Sequence, residues 1–158
     1  MTSRSFSDKD KPVAVIGAGN FGSVIANLLA QHRKVLLYAR DAKAVEQILS
    51  TKSNRGYKMH EHVTPTNDLS LIAGQCDIIF PIVPSAHFRS LMKELSPYLR
   101  PYHLLIHGTK GFDVILPDGQ TIESMENLDR TMVKTMSEVI KEESVVVRMG
   151  CLAGPNLA

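Results

Sequence analysis

The residues with the clearest chemical potential form the run Gly17-Ala18-Gly19-Asn20-Phe21-Gly22. A G-x-G-x-x-G loop that follows a strand and opens a helix offers unpaired backbone N–H groups to phosphate oxygens. The partial positive charge of the helix end adds to the attraction. Gly17 permits the tight turn, Gly19 lets a diphosphate approach the backbone, and Gly22 lets the helix pack closely on the strand. The chemistry implied is the binding of a dinucleotide, NADP or NAD. A purely structural glycine turn is the competing reading, and the surrounding elements weigh against it.

Two cations extend this signal. Arg40 stands in Tyr38-Ala39-Arg40-Asp41, at the end of the second expected strand, where an acidic residue would bond the ribose 2′-hydroxyl and repel a 2′-phosphate. Arg40 has the planar fork of donors that grips a phosphate. It reads either as a 2′-phosphate or adenine contact or as a solvated surface arginine. Asp41 reads first as a helix cap. Lys110 lies between two glycines in His107-Gly108-Thr109-Lys110-Gly111, at a strand end where doubly wound sheets bind their ligands. It could offer charge to a phosphate, a carbonyl or the nicotinamide side of a cofactor. His107 reads as a packed strand-end histidine rather than a general acid. The pair His60-x-His62 is too sparse for a metal site, and the methionines of the C-terminal third read as core filling.

Short β-branched runs alternate with amphipathic segments along the chain, which predicts βαβ units. The fold class expected is α/β, a Rossmann-type doubly wound, mainly parallel sheet with helices on both faces, in one domain spanning 12–158 after a flexible leader at 1–11. Strands are predicted at Val13–Ile16, Val35–Tyr38, Val63–Thr66 (an edge strand, since it holds Pro65), Asp77–Val83 and Leu104–His107, with a last strand starting at Val145–Val147. Pro81 is expected near a strand end, where its missing donor is unused. The first helix is predicted to bury Phe21, Val24, Ile25, Leu28 and Leu29. Asp41 caps a helix to about Leu49, Thr51–His62 is an irregular connection, and Asp68 opens a brief helix. Ser85 reads as the cap of a helix that buries Phe88, Leu91, Met92 and Leu95. Phe112–Thr121 reads as a small hairpin or excursion with a turn at Pro117-Asp118-Gly119. A longer helix is predicted to bury Met125, Leu128, Met132, Met136, Val139 and Ile140.

At 158 residues with 44% hydrophobic and 22% charged side chains, the chain suits one globular domain. A formal charge of +2 without a basic cluster speaks against a nucleic-acid surface. No apolar stretch approaches the ~20 residues that cross a bilayer, and the polar start lacks the apolar core of a secretory signal. A cytoplasmic location is expected. Cys76 and Cys151 read as buried free thiols.

The motifs GAGNFG, VPSAHFRSL, HGTKGF, MSEVIKEE and GPNLA, taken in order and spacing, resemble the NAD(P)-dependent glycerol-3-phosphate dehydrogenases, most closely the bacterial biosynthetic type. The resemblance runs from Val13 to the end. It implies hydride transfer between NAD(P)H and dihydroxyacetone phosphate, giving sn-glycerol 3-phosphate for glycerophospholipid synthesis. It implies cofactor contacts from Asn20 and Phe21, Arg40 at the adenosine end, and Ala158 beside the cofactor. Lys110 would contact both the nicotinamide side and the substrate, and Gly154 and Asn156 would line the substrate site. Asn156 departs from the usual serine, His107 from a small residue and Pro81 from alanine. The family's general-base lysine belongs to a helical second domain after G-P-x-x-A, so the expectation is a chain that binds NAD(P) and, alone, turns over poorly or not at all. A homo-oligomeric longer parent is compatible with this. A stand-alone nucleotide-binding module, or a domain of a hydroxy-acid or ketopantoate dehydrogenase, are the rival readings.

Overall fold

A computed structural model of the chain describes residues 11–116, 119–121 and 129–154. Six strands form one parallel sheet: β1 (Val13–Ile16), β2 (Val35–Tyr38), β5 (Val63–Thr66), β6 (Ile78–Pro81), β7 (Leu104–His107) and β10 (Arg148–Cys151). Their spatial order is β10-β7-β6-β1-β2-β5. The chain moves outward from β1 through β2 to β5, then returns to the other side of β1 and moves outward again. The order therefore reverses between β1 and β6, and ligands in such sheets bind at that reversal, outside the carboxyl ends of the strands.

The central strands are apolar because both faces are covered. Ala14, Ile16, Leu36, Tyr38 and Ile79 face one core with α3 (Leu69–Gln75), α4 (Ser85–Leu95) and α5 (Met136–Glu143). Val13, Val15, Val35 and Leu37 face the other, against α1 (Asn20–Ala30) and α2 (Ala42–Thr51). In-register pairing of Val13 with Val35 and of Ile16 with Tyr38 keeps like faces together. Pro81 ends β6 as expected. Its carbonyl accepts from the Gly108 amide at 3.0 Å, and the ladder to β7 has already stopped at Ile79 and Leu105. Among the described residues no helix is long and apolar enough to cross a membrane.

Several sequence expectations need correction. α1 buries Gly22, Ser23, Ala26 and Ala30, whereas Val24 and Leu28 are 43% and 55% exposed. The helix lies so close to the sheet that only small residues fit beneath it, and Phe21, Ile25 and Leu29 pack at the margin. The 51–62 connection contains a hairpin, β3 (Ser53–Asn54) with β4 (Tyr57–Lys58). Ser85 is the first helical residue of α4; Pro84 holds the cap position without a side-chain bond. The long helix is not continuous. Arg130–Met132 is a 3₁₀ turn, and Val133–Lys134 (β9) pairs antiparallel with Asp113–Val114 (β8). Only Met136, Val139 and Ile140 are buried as expected, while Met125, Leu128 and most of the Pro117-Asp118-Gly119 turn lie outside the described residues. The last strand starts at Arg148, because Val145 and Val147 point to solvent and Val146 alone enters the core. Cys76 is buried, which pushes its thiol up to about 12, whereas Cys151 is exposed on the edge strand. Lys11, assigned to the leader, already pairs with Asp77 at 2.7 Å; residues 1–10 lie outside the described ones.

α5 starts where it does because of a reciprocal cap. The Glu138 amide donates to the Thr135 hydroxyl at 3.2 Å, and the Thr135 amide donates to Glu138 Oε2 at 2.7 Å. The Thr135 amide, the Arg130 guanidinium and the Thr135 hydroxyl hold the Glu138 carboxyl down to about 2, against an ordinary 4.5. A carboxylate depressed in the folded state stabilises above its unfolded pKa, and that contribution disappears as pH falls through the folded one. Glu138→Gln should therefore flatten the loss of stability between about pH 5 and pH 2, read as urea midpoints against pH. Parallel profiles for variant and parent would show that this cap is not acid-labile.

Candidate dinucleotide cleft

β1 ends at Ile16, and the chain turns at Gly17 with φ +123°, a left-handed value that disfavours any side chain. A Cβ on Gly17 would also lie 2.0 Å from the Ile82 carbonyl oxygen. Gly19 caps α1, and its carbonyl accepts the first helical bond, from the Ser23 amide at 2.9 Å. The amides of Asn20, Phe21 and Gly22 precede that bond, so the helix leaves them without intrahelical partners. A Cβ on Gly22 would sit 1.8 Å from the Gly17 carbonyl oxygen, which is how closely helix and loop approach. A Cβ on Gly19 would meet nothing within 4 Å. Its hydrogen faces open space, the condition for a ligand to reach the backbone.

The carbonyls of this loop are engaged elsewhere. Asn54, buried at the end of β3, donates its Nδ2 to the Ala18 carbonyl at 2.9 Å and to Ser23 Oγ at 2.8 Å. Ser23 Oγ donates in turn to the Gly19 carbonyl at 2.8 Å. With those acceptors satisfied, the loop presents mainly donors, which suits an anion.

Two adjoining depressions cross the carboxyl ends of the strands. The first, about 440 Å³, is lined by Gly19–Gly22, Arg55, Ile82–Pro84 and Gly108–Lys110. The second, about 430 Å³, is lined by Ile16–Gly19, Tyr38–Asp41, Ala44, Arg55, Ile82–Pro84, His87 and Leu91. The structure thus brings Gly19, Asn20, Phe21, Gly22 and Lys110 into one half, and Gly17, Gly19 and Arg40 into the other. Gly154 is exposed beyond β10 and lines neither half; Asn156 and Ala158 lie outside the described residues.

Arg40 is exposed, and its Nη2 lies 3.2 Å from Glu94 Oε1. Burial raises the pKa of neighbouring Tyr38, as does the Glu94 charge, while Arg40 pulls it back down. Asp41 accepts from the Lys43 amide at 2.9 Å, which makes it the cap of α2. Thr109 Oγ1 donates to the Val83 carbonyl at 2.7 Å and fixes the Lys110 loop to the end of β6. Farther along that loop, Asp113 accepts from Arg89 Nε at 2.7 Å, and Arg89 also binds Glu142 and Glu143 of α5. Burial alone would lower the Arg89 pKa, but the Glu142, Asp113 and Glu143 carboxylates outweigh it and raise it.

His107 does not line the cleft. It packs edge-on to Phe88 with centroids 5.9 Å apart, and its Nε2 lies 3.3 Å from Ser137 Oγ. Burial pushes its imidazole pKa down, partly offset by the Thr109 backbone. Among the described residues no group of three or more potential metal ligands occurs. Sequence reasoning missed Asn54 and Arg55. Their signal was the Asn-Arg-Gly string, a turn-former inside an otherwise polar connection.

A parallel sheet with the order β5-β2-β1-β6-β7-β10, a glycine loop at its reversal and a donor-rich cleft across it define a dinucleotide-binding Rossmann domain. Residues 12–158 match the family model for the NAD-dependent glycerol-3-phosphate dehydrogenase N-terminus, and the chain belongs to that family. It is 33% identical over 153 residues to an NAD(P)+ glycerol-3-phosphate dehydrogenase of Ectopseudomonas mendocina, covering 94% of this chain and 40% of the relative. The corresponding protein of Saccharophagus degradans is 34% identical over 151 residues, covering 92% and 38%. The chain therefore spans about two fifths of the length of these relatives. Among solved structures, the glycerol-3-phosphate dehydrogenase of Coxiella burnetii superposes with a TM-score of 0.75 at 25% identity, covering 94% of this chain and 42% of that one. A ketopantoate reductase of Ralstonia eutropha shares the fold at a TM-score of 0.63 and 19% identity, covering 89% and 40%.

The glycines predict opposite outcomes for superficially similar changes. Gly22→Ala drives a methyl into the Gly17 carbonyl and should cost ~3 kcal/mol or more of unfolding free energy, the upper range for overpacking. Gly19→Val enters open space from an extended backbone, φ −78° and ψ −176°, and should stay within about 0.5 kcal/mol of the parent. Urea unfolding of both variants checks the pair; equal losses would contradict the packing described.

Proposed function

We propose that this chain is the cofactor-binding part of a glycerol-3-phosphate dehydrogenase and holds NADH or NADPH across the β1/β6 reversal. One observation carries the reading: the α1 amides face a cleft into which Gly19 puts no side chain, while Asn54 and Ser23 occupy the loop carbonyls. Family membership over 12–158 supports the same assignment. Gly17, Gly19, Asn20, Phe21 and Gly22 hold the diphosphate, and Arg40 contacts the adenosine end. When bound, the nicotinamide supplies or accepts the hydride. Phe21 lies so near Gly108 that a Cβ there would be 3.1 Å from its ring, and both residues wall the half of the cleft that Lys110 also lines. Lys110 orients the nicotinamide side and the phosphorylated three-carbon substrate, dihydroxyacetone phosphate or sn-glycerol 3-phosphate. Gly154 and Asn156 border that substrate, and Ala158 adjoins the cofactor. Hydride transfer also requires a proton at the ketone oxygen and exclusion of water. We assign both tasks to a helical domain corresponding to the part of the relatives that this chain does not span. The product feeds glycerophospholipid synthesis, in the cytoplasm.

Calorimetric titration with NADH and NADPH tests the reading. Both should bind the parent, and Gly19→Val should abolish both, since a branched side chain then occupies the diphosphate's place. Arg40→Ala should weaken NADPH by about tenfold and NADH far less, about 1.4 kcal/mol of selective loss. No heat from either coenzyme with the folded parent would end the proposal, and equal NADPH affinities before and after the change would remove Arg40 from the site.

A further inference from the structure

We propose that Arg55 closes the cleft from the side opposite α1 and clamps the diphosphate between its guanidinium and the helix amides; this rests on the cofactor reading above. Arg55 and Gly56 form the two-residue loop between β3 and β4, with φ +49° and +84°. Both values are those of a primed hairpin turn, whose first position ordinarily takes Asn, Asp or Gly. An arginine there keeps its side chain in the left-handed region at an energetic cost that those residues lessen or avoid.

The hairpin is fixed rather than free. Asn54 ties it to the glycine loop through the Ala18 carbonyl and Ser23 Oγ. On the far strand, Asn27 of α1 donates to the Lys58 carbonyl and accepts from the His60 amide, both at 2.9 Å. Arg55 is thereby held over the start of α1. Of the described residues that line both halves of the cleft, Arg55 is the one that carries charge; Arg40 lines only the adenosine half and Lys110 only the other. A dinucleotide laid across the two halves must cross its diphosphate at their junction. No carboxylate among the described residues lies within ion-pair distance of the guanidinium, and its fork of donors matches phosphate oxygens.

The clamp recognises the diphosphate and not the nucleoside, so its test compares ligands that differ in that group. Arg55→Ala should lower calorimetric affinity for NADH, NADPH and ADP by tenfold or more and make their salt dependence shallower. Adenosine, followed by NMR shift titration, should bind within twofold of the parent. Arg55→Lys should recover part of the loss, because it keeps the charge without the fork. Arg55→Gly removes the charge and relieves the backbone, so it gives the same readout should the alanine variant unfold. Parent-like NADH and ADP affinities in the alanine and glycine variants would overturn the clamp and leave the cofactor reading intact. Equal weakening of adenosine and ADP would overturn it too, since the hairpin would then act only by ordering the cleft. A folded parent that binds neither ADP nor NADH would defeat both proposals together.

Discussion

The hydrogen at Gly22 sets the distance between α1 and the end of β1. A methyl there would lie 1.8 Å from the Gly17 carbonyl oxygen, so the helix would have to retreat from the sheet. Its amides would then no longer meet the strand ends at the β1/β6 reversal. The same closeness dictates the rest of the helix underside, where Ser23, Ala26 and Ala30 follow Gly22. It also brings Ser23 Oγ within 2.8 Å of both the Gly19 carbonyl and Asn54 Nδ2, so one buried hydroxyl links helix, loop and hairpin. Buried polar groups in such a chain must all be satisfied at once. The loop's charge pattern, with donors outward and acceptors engaged, follows from the packing.

A second close approach fixes the floor. The Gly17 turn passes so near the Ile82 carbonyl that a Cβ would be 2.0 Å away. The Ile82 amide donates to the Ile16 carbonyl at 2.7 Å, continuing the sheet one step past Pro81. From there the Gly108 amide and the Thr109 hydroxyl bond the Pro81 and Val83 carbonyls, so the three strand ends are laced together in register. The Lys110 loop gains its other anchor from Arg89, whose side chain is only 20% exposed and holds Asp113 against the carboxylates of α5. Charge-assisted bonds from one partly buried guanidinium to three carboxylates fix position better than any single surface pair.

The fold was legible because hydrophobic runs and their spacing report burial directly. Five of the six sheet strands, the caps Asp41 and Asp68 and the inward set Phe88, Leu91, Met92 and Leu95 follow from pattern alone. The glycine loop was legible for the same reason, since its position between strand and helix is written in the sequence. Where the pattern misled, local chemistry competed with periodicity. Val24 and Leu28 sit at apolar spacing, yet the sheet admits only small side chains. Met132 continues a methionine rhythm that Thr135 and Glu138 interrupt with a capping box. The Asn-Arg-Gly string marked a turn at Asn54 and Arg55 but not its place in the site, because Asn54 bonds residues 31 and 36 positions away along the chain, which no local window contains.

Charge is distributed unevenly along the cleft, and the consequence differs at its two ends. At the adenosine end Arg40 is paired with Glu94, but both side chains are exposed, 62% and 48%. A pair so solvated is worth roughly 0–1 kcal/mol, so separating it to admit a 2′-phosphate costs little. Glu94 would remain close by, however, and its charge opposes the same phosphate that Arg40 attracts. With a bare 2′-hydroxyl the pair has no reason to separate. On the proposed reading the carboxylate and the guanidinium act in opposite directions on a 2′-phosphate, so this end of the cleft would discriminate only weakly between the coenzymes. At the centre, where Gly19, Arg55, Ile82, Val83 and Pro84 line both halves, no carboxylate is among the described lining residues, and the Ala18 and Gly19 carbonyls are occupied. On the proposed reading, recognition of the diphosphate, common to both coenzymes, would accordingly be the less selective part of the interaction.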